Sequence, residues 1–266
     1  MTRSNGIWSR EKLNRYIKEG RGQSATGKDY RPWVMVHEFP SVGRASRILG
    51  IKTGRIHHLH SDNQLRAFFI FEFSDKVVDI RESYPLLDVM EVIDDKENLR
   101  FDKFCSKETG EQLVICTNFV LTIRDSDGNE RHVARTIKNT SELNKKITFE
   151  KLEIERRYWE AKGVDWKIIT DKQLPRQVAK NIEWVRETLL EDNEVDKELL
   201  SKILLNFLLI NLETPLKELL KNFDKEEGVN TGTGLYLFRY LIAKKEIKVN
   251  MKEKINLALK VKDLIL

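Results

Sequence analysis

Two short β-rich runs carry the residues of this chain that are best placed for chemistry. Residues 113–123 contain Asn118; after the turn Asp125-Ser-Asp-Gly128, residues 130–138 contain Thr136 and Lys138. β-Rich runs on either side of an Asp-Gly turn predict a hairpin. Side chains alternate along a strand, so Thr136 and Lys138 share a face while Ile137 points away. An acid on one such strand and acid-x-Lys on the next would hold divalent metal beside a phosphodiester, with the Lys steadying developing negative charge. The spacing for that chemistry is present, but Asn118 and Thr136 carry no charge. Read alone, Lys138 is equally a surface Lys at a strand end.

The elements that must position these residues follow from periodicity and caps. Residues 9–19 predict a helix with Ser9 as N-cap, and residues 61–64 (Ser-Asp-Asn-Gln) open another, with Leu65, Phe68 and Phe69 on its buried stripe. Ser61-x-x-Gln64 is a capping box, in which the Gln amide oxygen reaches back to the N-cap N–H. Glu would cap equally well, so capping alone leaves the purpose of position 64 open. Residues 77–81 predict a strand, 94–110 a charged surface insertion, 148–161 a charged helix and 165–170 the last strand of an α/β core of roughly 170 residues. Beyond Asp171 the sequence turns Leu-rich. Amphipathic stretches at 178–190 and 197–212 precede Thr214-Pro215, read as an N-cap followed by Pro at the first helical position. A helix to Phe223, a Gly-containing turn, a helix through Leu235 and Ile242, and an edge strand at 245–250 look like a winged helix-turn-helix. Its second helix offers only Arg239, Lys244 and Lys245 as cations, so protein docking is the favoured reading over groove readout.

A longer set of stretches makes the resemblance specific. Ile17-Lys-Glu-Gly-Arg-Gly-Gln23, Gly27-Lys-Asp-Tyr30, Lys52-Thr-Gly-Arg-Ile-His-His-Leu59, Val78-Asp-Ile-Arg-Glu82, Phe149-Glu-Lys-Leu-Glu-Ile-Glu-Arg-Arg-Tyr-Trp159 and Asn181-Ile-Glu-Trp184 run in order through residues 13 to about 190. In these the chain resembles TnsA, the restriction-endonuclease-like subunit of heteromeric cut-and-paste bacterial transposases. The resemblance implies a restriction-endonuclease-like core, a mixed sheet with flanking helices, over residues 1–171, and a winged helix over 172–266. It implies Mg²⁺-dependent cleavage of the 5′ ends of the element, in company with a TnsB-like transposase and a TnsC-like AAA+ regulator that engages the C-terminal domain. The family pattern of a helix Glu, an Asp and Gln-x-Lys falls on Gln64, Asn118, Thr136 and Lys138, with the Ile137 backbone as a further metal donor. Three of the four positions depart from it. Amide oxygens bring no charge to a hard dication, and the three losses imply at least ~3 kcal/mol, or more than ~100-fold in rate. Asp79 and Glu155, inside matching blocks, are the foremost substitute acids; Asp62, Glu72 and Glu82 are others. Asn for Asp and Gln for Glu are isosteric but Thr for Gln is not, which suggests natural degeneration into a non-cutting subunit.

Charge and composition agree with a DNA-linked role. The net charge is +5, yet residues 1–60 hold 12 Lys/Arg against 4 Asp/Glu, a local +8. A basic N-terminal quarter is a plausible footprint for transposon-end DNA, and Arg44, Lys52 and Arg55 are the expected contacts. A solvated basic surface is the plainer account. The Gly-rich loop 20–27 reads as DNA-facing or as a connector, because it lacks the Gly-Lys-Ser/Thr end of a phosphate loop. His57-His-Leu-His60 could chelate a metal but lacks the remaining ligands, leaving phosphate contact or packing. Two cysteines, Cys105 and Cys116, exclude a disulfide scaffold and fit a reduced bacterial cytoplasm, at the nucleoid for a DNA partner. No stretch approaches the ~18 apolar residues of a membrane span. Three readings stand: an active nickase, a non-cutting partner of an active TnsA paralogue, and a DNA-binding regulator using the winged helix alone.

Overall fold

The structure, a computed structural model, describes residues 8–23, 25–38, 44–190 and 196–266. Ser24, within the expected loop 20–27, lies outside the described residues. The chain forms two compact units, Met1–Leu174 and Pro175–Leu266. In chain order the first holds α1 (Arg10–Lys18), β1 (Ser46–Leu49), β2 (Ile56–Leu59), α2 (Asp62–Phe73), β3 (Val77–Pro85) and the short α3 (Val89–Val92). It continues with β4 (Cys116–Arg124), β5 (Glu130–Lys138), α4 (Lys146–Ala161) and β6 (Asp165–Thr170). The second unit holds α5 (Arg176–Arg186), α6 (Lys197–Ile210), α7 (Leu216–Glu226), α8 (Thr233–Ala243) and the short α9 (Val261–Leu264). No helix among the described residues is long and apolar enough to cross a membrane.

The first unit is a mixed α/β fold. Its main sheet runs β3-β4-β5-β6, antiparallel except for the parallel pair β5–β6, which α4 connects. The expected hairpin is β4–β5. Asp125 Oδ1 accepts from the Asp127 and Asn129 N–H groups, and Gly128 takes the positive φ of 86° that closes the turn. α4 covers one face, where Val120 and Ala134 meet Ile154, Tyr158 and Trp159. α2 covers the other, with Phe71 edge-on to Phe119 at 5.4 Å between ring centroids. Burying each such large apolar side chain is worth roughly 1.5–3 kcal/mol. The charged stretch after α3 is more than a surface insertion, because its Leu99, Phe101 and Phe104 pack against this core.

The second unit differs from expectation at its end. Residues 245–250 form no strand: the Glu246 and Ile247 N–H groups both return to Leu241 O and cap α8. Val249 alone remains to pair, in a single bridge with Ile265. Lys245, at φ 62°, makes the turn that directs these amides backwards. α7 also runs past Phe223 to Glu226, with Pro215 rather than Thr214 at its N-cap.

Candidate functional site

The sequence-predicted residues gather where β4, β5 and β6 end. Regular β4–β5 pairing stops at Phe119↔Arg135. Beyond it the Ile137 N–H donates to Asn118 Oδ1 at 2.8 Å, so a side chain replaces the next rung of the ladder. Lys138, the last residue of β5, pairs with Thr170, the last of β6. Arg66 on α2 donates to Leu174 O at 3.0 Å, just past β6, which brings the first turn of α2 to the same end of the sheet. In that turn the expected capping box is only half formed: Gln64 N–H donates to Ser61 Oγ at 3.2 Å, but Gln64 Oε1 accepts at 2.8 Å from the N–H of His60, one residue before the N-cap, rather than from that of Ser61.

Thr136 faces inward and is fully buried. Its hydroxyl donates to Glu155 Oε2 at 2.5 Å and accepts from Trp166 Nε1 at 3.1 Å. Thr117 mirrors it, donating to the same Oε2 at 2.9 Å and accepting from Trp159 Nε1 at 2.8 Å. Two hydroxyls, each backed by an indole N–H, thus converge on one oxygen of a fully buried carboxylate. The other oxygen, Oε1, has no hydrogen-bond partner but lies 3.4 Å from Lys151 Nζ, which donates to Cys116 O at 2.9 Å. Thr117, Lys151 and both Trp residues escaped sequence reasoning, since nothing in their own spacing marks them. Burial, reinforced by Lys151, lowers the Lys138 pKa from its ordinary value despite Glu142 and Glu155 nearby. Of the two foremost substitute acids, Glu155 reaches this corner and Asp79 does not. Asp79 pairs with Thr122, four residues along β4 from Asn118 and roughly 13 Å away at strand rise. Its Oδ1 accepts from Gly27 N–H at 3.0 Å.

Two of the three expected DNA contacts, the buried Arg55 and the half-buried Lys52, are instead engaged inside the protein. The Arg55 guanidinium grips Glu82 bidentately at 2.8 and 2.6 Å, donates to Ile80 O, and stacks over Tyr30. Its neighbour His57 places Nδ1 2.7 Å from the same carboxylate and Nε2 2.7 Å from Thr53 Oγ1. His57 is therefore a packing residue of this ion cluster. Lys52 Nζ donates to the Ser74 and Val77 carbonyls. Arg55 and Lys52 tie the β1–β2 segment to the sheet, and a phosphate would have to displace buried partners to reach them. Arg44 alone of the three is exposed.

A mixed sheet flanked by helices thus carries an Asn at a splayed strand end and a Lys that closes the neighbouring strand. Residues 74–171 match the family model described as TnsA-like endonuclease N terminal, and residues 173–251 match TnsA endonuclease C terminal. The Escherichia coli protein named Transposon Tn7 transposition protein TnsA is 37% identical over 255 residues, covering 94% of this chain and 90% of the relative. The chain belongs to the TnsA family.

Proposed function

We propose that this chain acts in DNA transposition at transposon ends as a TnsA-type subunit that keeps the nuclease fold and has lost the cutting. The family membership supports the first half. One observation carries the second: at positions 64, 118 and 136 the side-chain oxygens are neutral, and each is already engaged inside the protein. Magnesium favours carboxylates and fixed geometry, so this donor set does not fit the family's dication. The nearby carboxylate of Glu155 is held by two hydroxyls and faces Lys151. We take residues 1–171 as the nuclease-like domain, working in the bacterial cytoplasm on nucleoid DNA beside a TnsB-like transposase. An active TnsA paralogue would supply the cut. End-labelled transposon-end DNA, incubated with magnesium, the unmodified chain and its transposition partners but no second TnsA, should show no 5′-end nick. Nicking that Lys138→Ala abolishes would overturn this reading.

Residues 172–266 are proposed as a winged-helix module that docks a TnsC-like AAA+ regulator. The bridges Pro215↔Lys260 and Val249↔Ile265 set the segments before α7, after α8 and at the C-terminus side by side, as in the small sheet of a winged helix. The one arginine of α8, Arg239, is engaged by Trp184 O and Glu187, which leaves α8 poor in cations for a DNA groove. Leu209 and Ile210 on α6 are instead exposed apolar surface. Leu209→Glu with Ile210→Glu is expected to abolish co-sedimentation with the regulator while end-DNA binding persists. The reverse pattern would mark the module as a DNA reader.

A further inference from the structure

The hydrogen bonds that satisfy the two amide oxygens also orient the amides. A backbone N–H can only donate, so Asn118 must present Oδ1 to Ile137 N–H and Gln64 must present Oε1 to His60 N–H. The NH₂ ends are thereby left as donors, and neither has a hydrogen-bond partner among the described residues. Where carboxylates would offer lone pairs to a cation, the corner offers N–H groups together with the ammonium groups of Lys138 and Lys151.

The charge balance points the same way. Lys138 has Lys151, Glu142 and Glu155 as its charged neighbours. Two lysines and two glutamates sum to zero. Carboxylates at positions 64 and 118 would bring the corner to a formal charge of −2, which one dication would neutralise. Without them these four groups balance with no metal, and no surplus of negative charge remains to demand a dication. A phosphodiester oxygen, carrying negative charge and accepting hydrogen bonds, matches this arrangement. We propose that the corner formed by Asn118, Gln64, Lys138 and Lys151 is a metal-independent phosphate site that holds the backbone of transposon-end DNA. The proposal rests on the non-cutting reading above and gives the altered residues a binding role of their own.

The test is fluorescence anisotropy of a labelled transposon-end duplex with the full chain, in excess EDTA and again in excess magnesium. The unmodified chain should bind equally in both. Gln64→Glu with Asn118→Asp should bind roughly tenfold more weakly in EDTA, as two added negative charges would impose at this range, and should recover in magnesium. Lys138→Ala with Lys151→Ala should bind weakly in both. Asp at 118 and Glu at 64 keep the two oxygens that accept from Ile137 and His60, so the variant retains its fold, checked by its melting curve. Absence of binding, a magnesium requirement in the unmodified chain, or an unchanged carboxylate variant in EDTA would each overturn the site. Nicking is scored separately, so a chain that cuts would remove the non-cutting reading without altering the EDTA comparison.

Discussion

The double variant Gln64→Glu, Asn118→Asp is expected to convert this chain into a magnesium-binding protein that nicks transposon ends. Each substitution places a full negative charge at a position where the family pattern carries an acid. Neither disturbs the fold, because the carboxylate oxygens can accept the His60 and Ile137 N–H bonds that the amides accept now. The gain should exceed ~100-fold in 5′-end nicking over the unmodified chain, corresponding to at least ~3 kcal/mol of transition-state stabilisation. Lys138→Ala in that background should remove it again. Adding Thr136→Gln should not help. The position is fully buried, and a longer amide would have to displace the Trp166 and Glu155 contacts, at a cost of roughly 1–3 kcal/mol in stability. Calorimetric magnesium titration and the nicking assay together check the series; equal nicking by the unmodified and doubly substituted chains refutes it.

Glu82→Gln is expected to cost about 3–5 kcal/mol of stability, because it leaves the Arg55 guanidinium buried without its counter-charge. The effect carries a pH signature. Burial alone would raise the Glu82 pKa, but the charges and hydrogen bonds of His57 and Arg55 outweigh it and hold the carboxyl far below its ordinary range. A depressed folded-state pKa contributes stability that is fully present above the unfolded-state value of ~4.3 and is lost as pH falls toward the folded value. The stability of the unmodified chain against urea should therefore fall progressively as pH drops below about 5 toward that folded-state value. Glu82→Gln should be weaker at neutral pH and flatter through that window. Parallel pH profiles for the two proteins would show that Glu82 is not the group responsible.

Local patterns in the sequence were enough for the hairpin, its Asp-Gly turn, the Ser9 and Ser61 caps and α4, since each depends on residues a few positions apart. Long-range partners were not legible. The two bonds to Glu155 span 38 and 19 residues, and the Trp166 bond to Thr136 spans 30. No periodicity links them. Arg55 misled for the same reason: in a basic stretch it reads as a phosphate contact, and only Glu82, 27 residues away, reveals it as a buried strut. Lys138 and Asn118 were legible as a pair through strand alternation, but the orientation of the Asn amide needed the Ile137 N–H. The edge strand at 245–250 failed because helix capping outcompeted pairing for the same amides.

The Ile137 N–H bond makes folding blind to the choice between Asp and Asn at position 118, since either side chain supplies the acceptor. Loss of the charge there is a single-nucleotide-sized step that leaves this acceptor in place, and so is its return. Position 136 behaves differently. Once Thr is walled in by Glu155 and Trp166, restoring a longer side chain means rebuilding its neighbours as well. Change is thus reversible at one residue and ratcheted at the other, and a lineage that has passed the second keeps Thr136 in place whether or not the charges at positions 64 and 118 return.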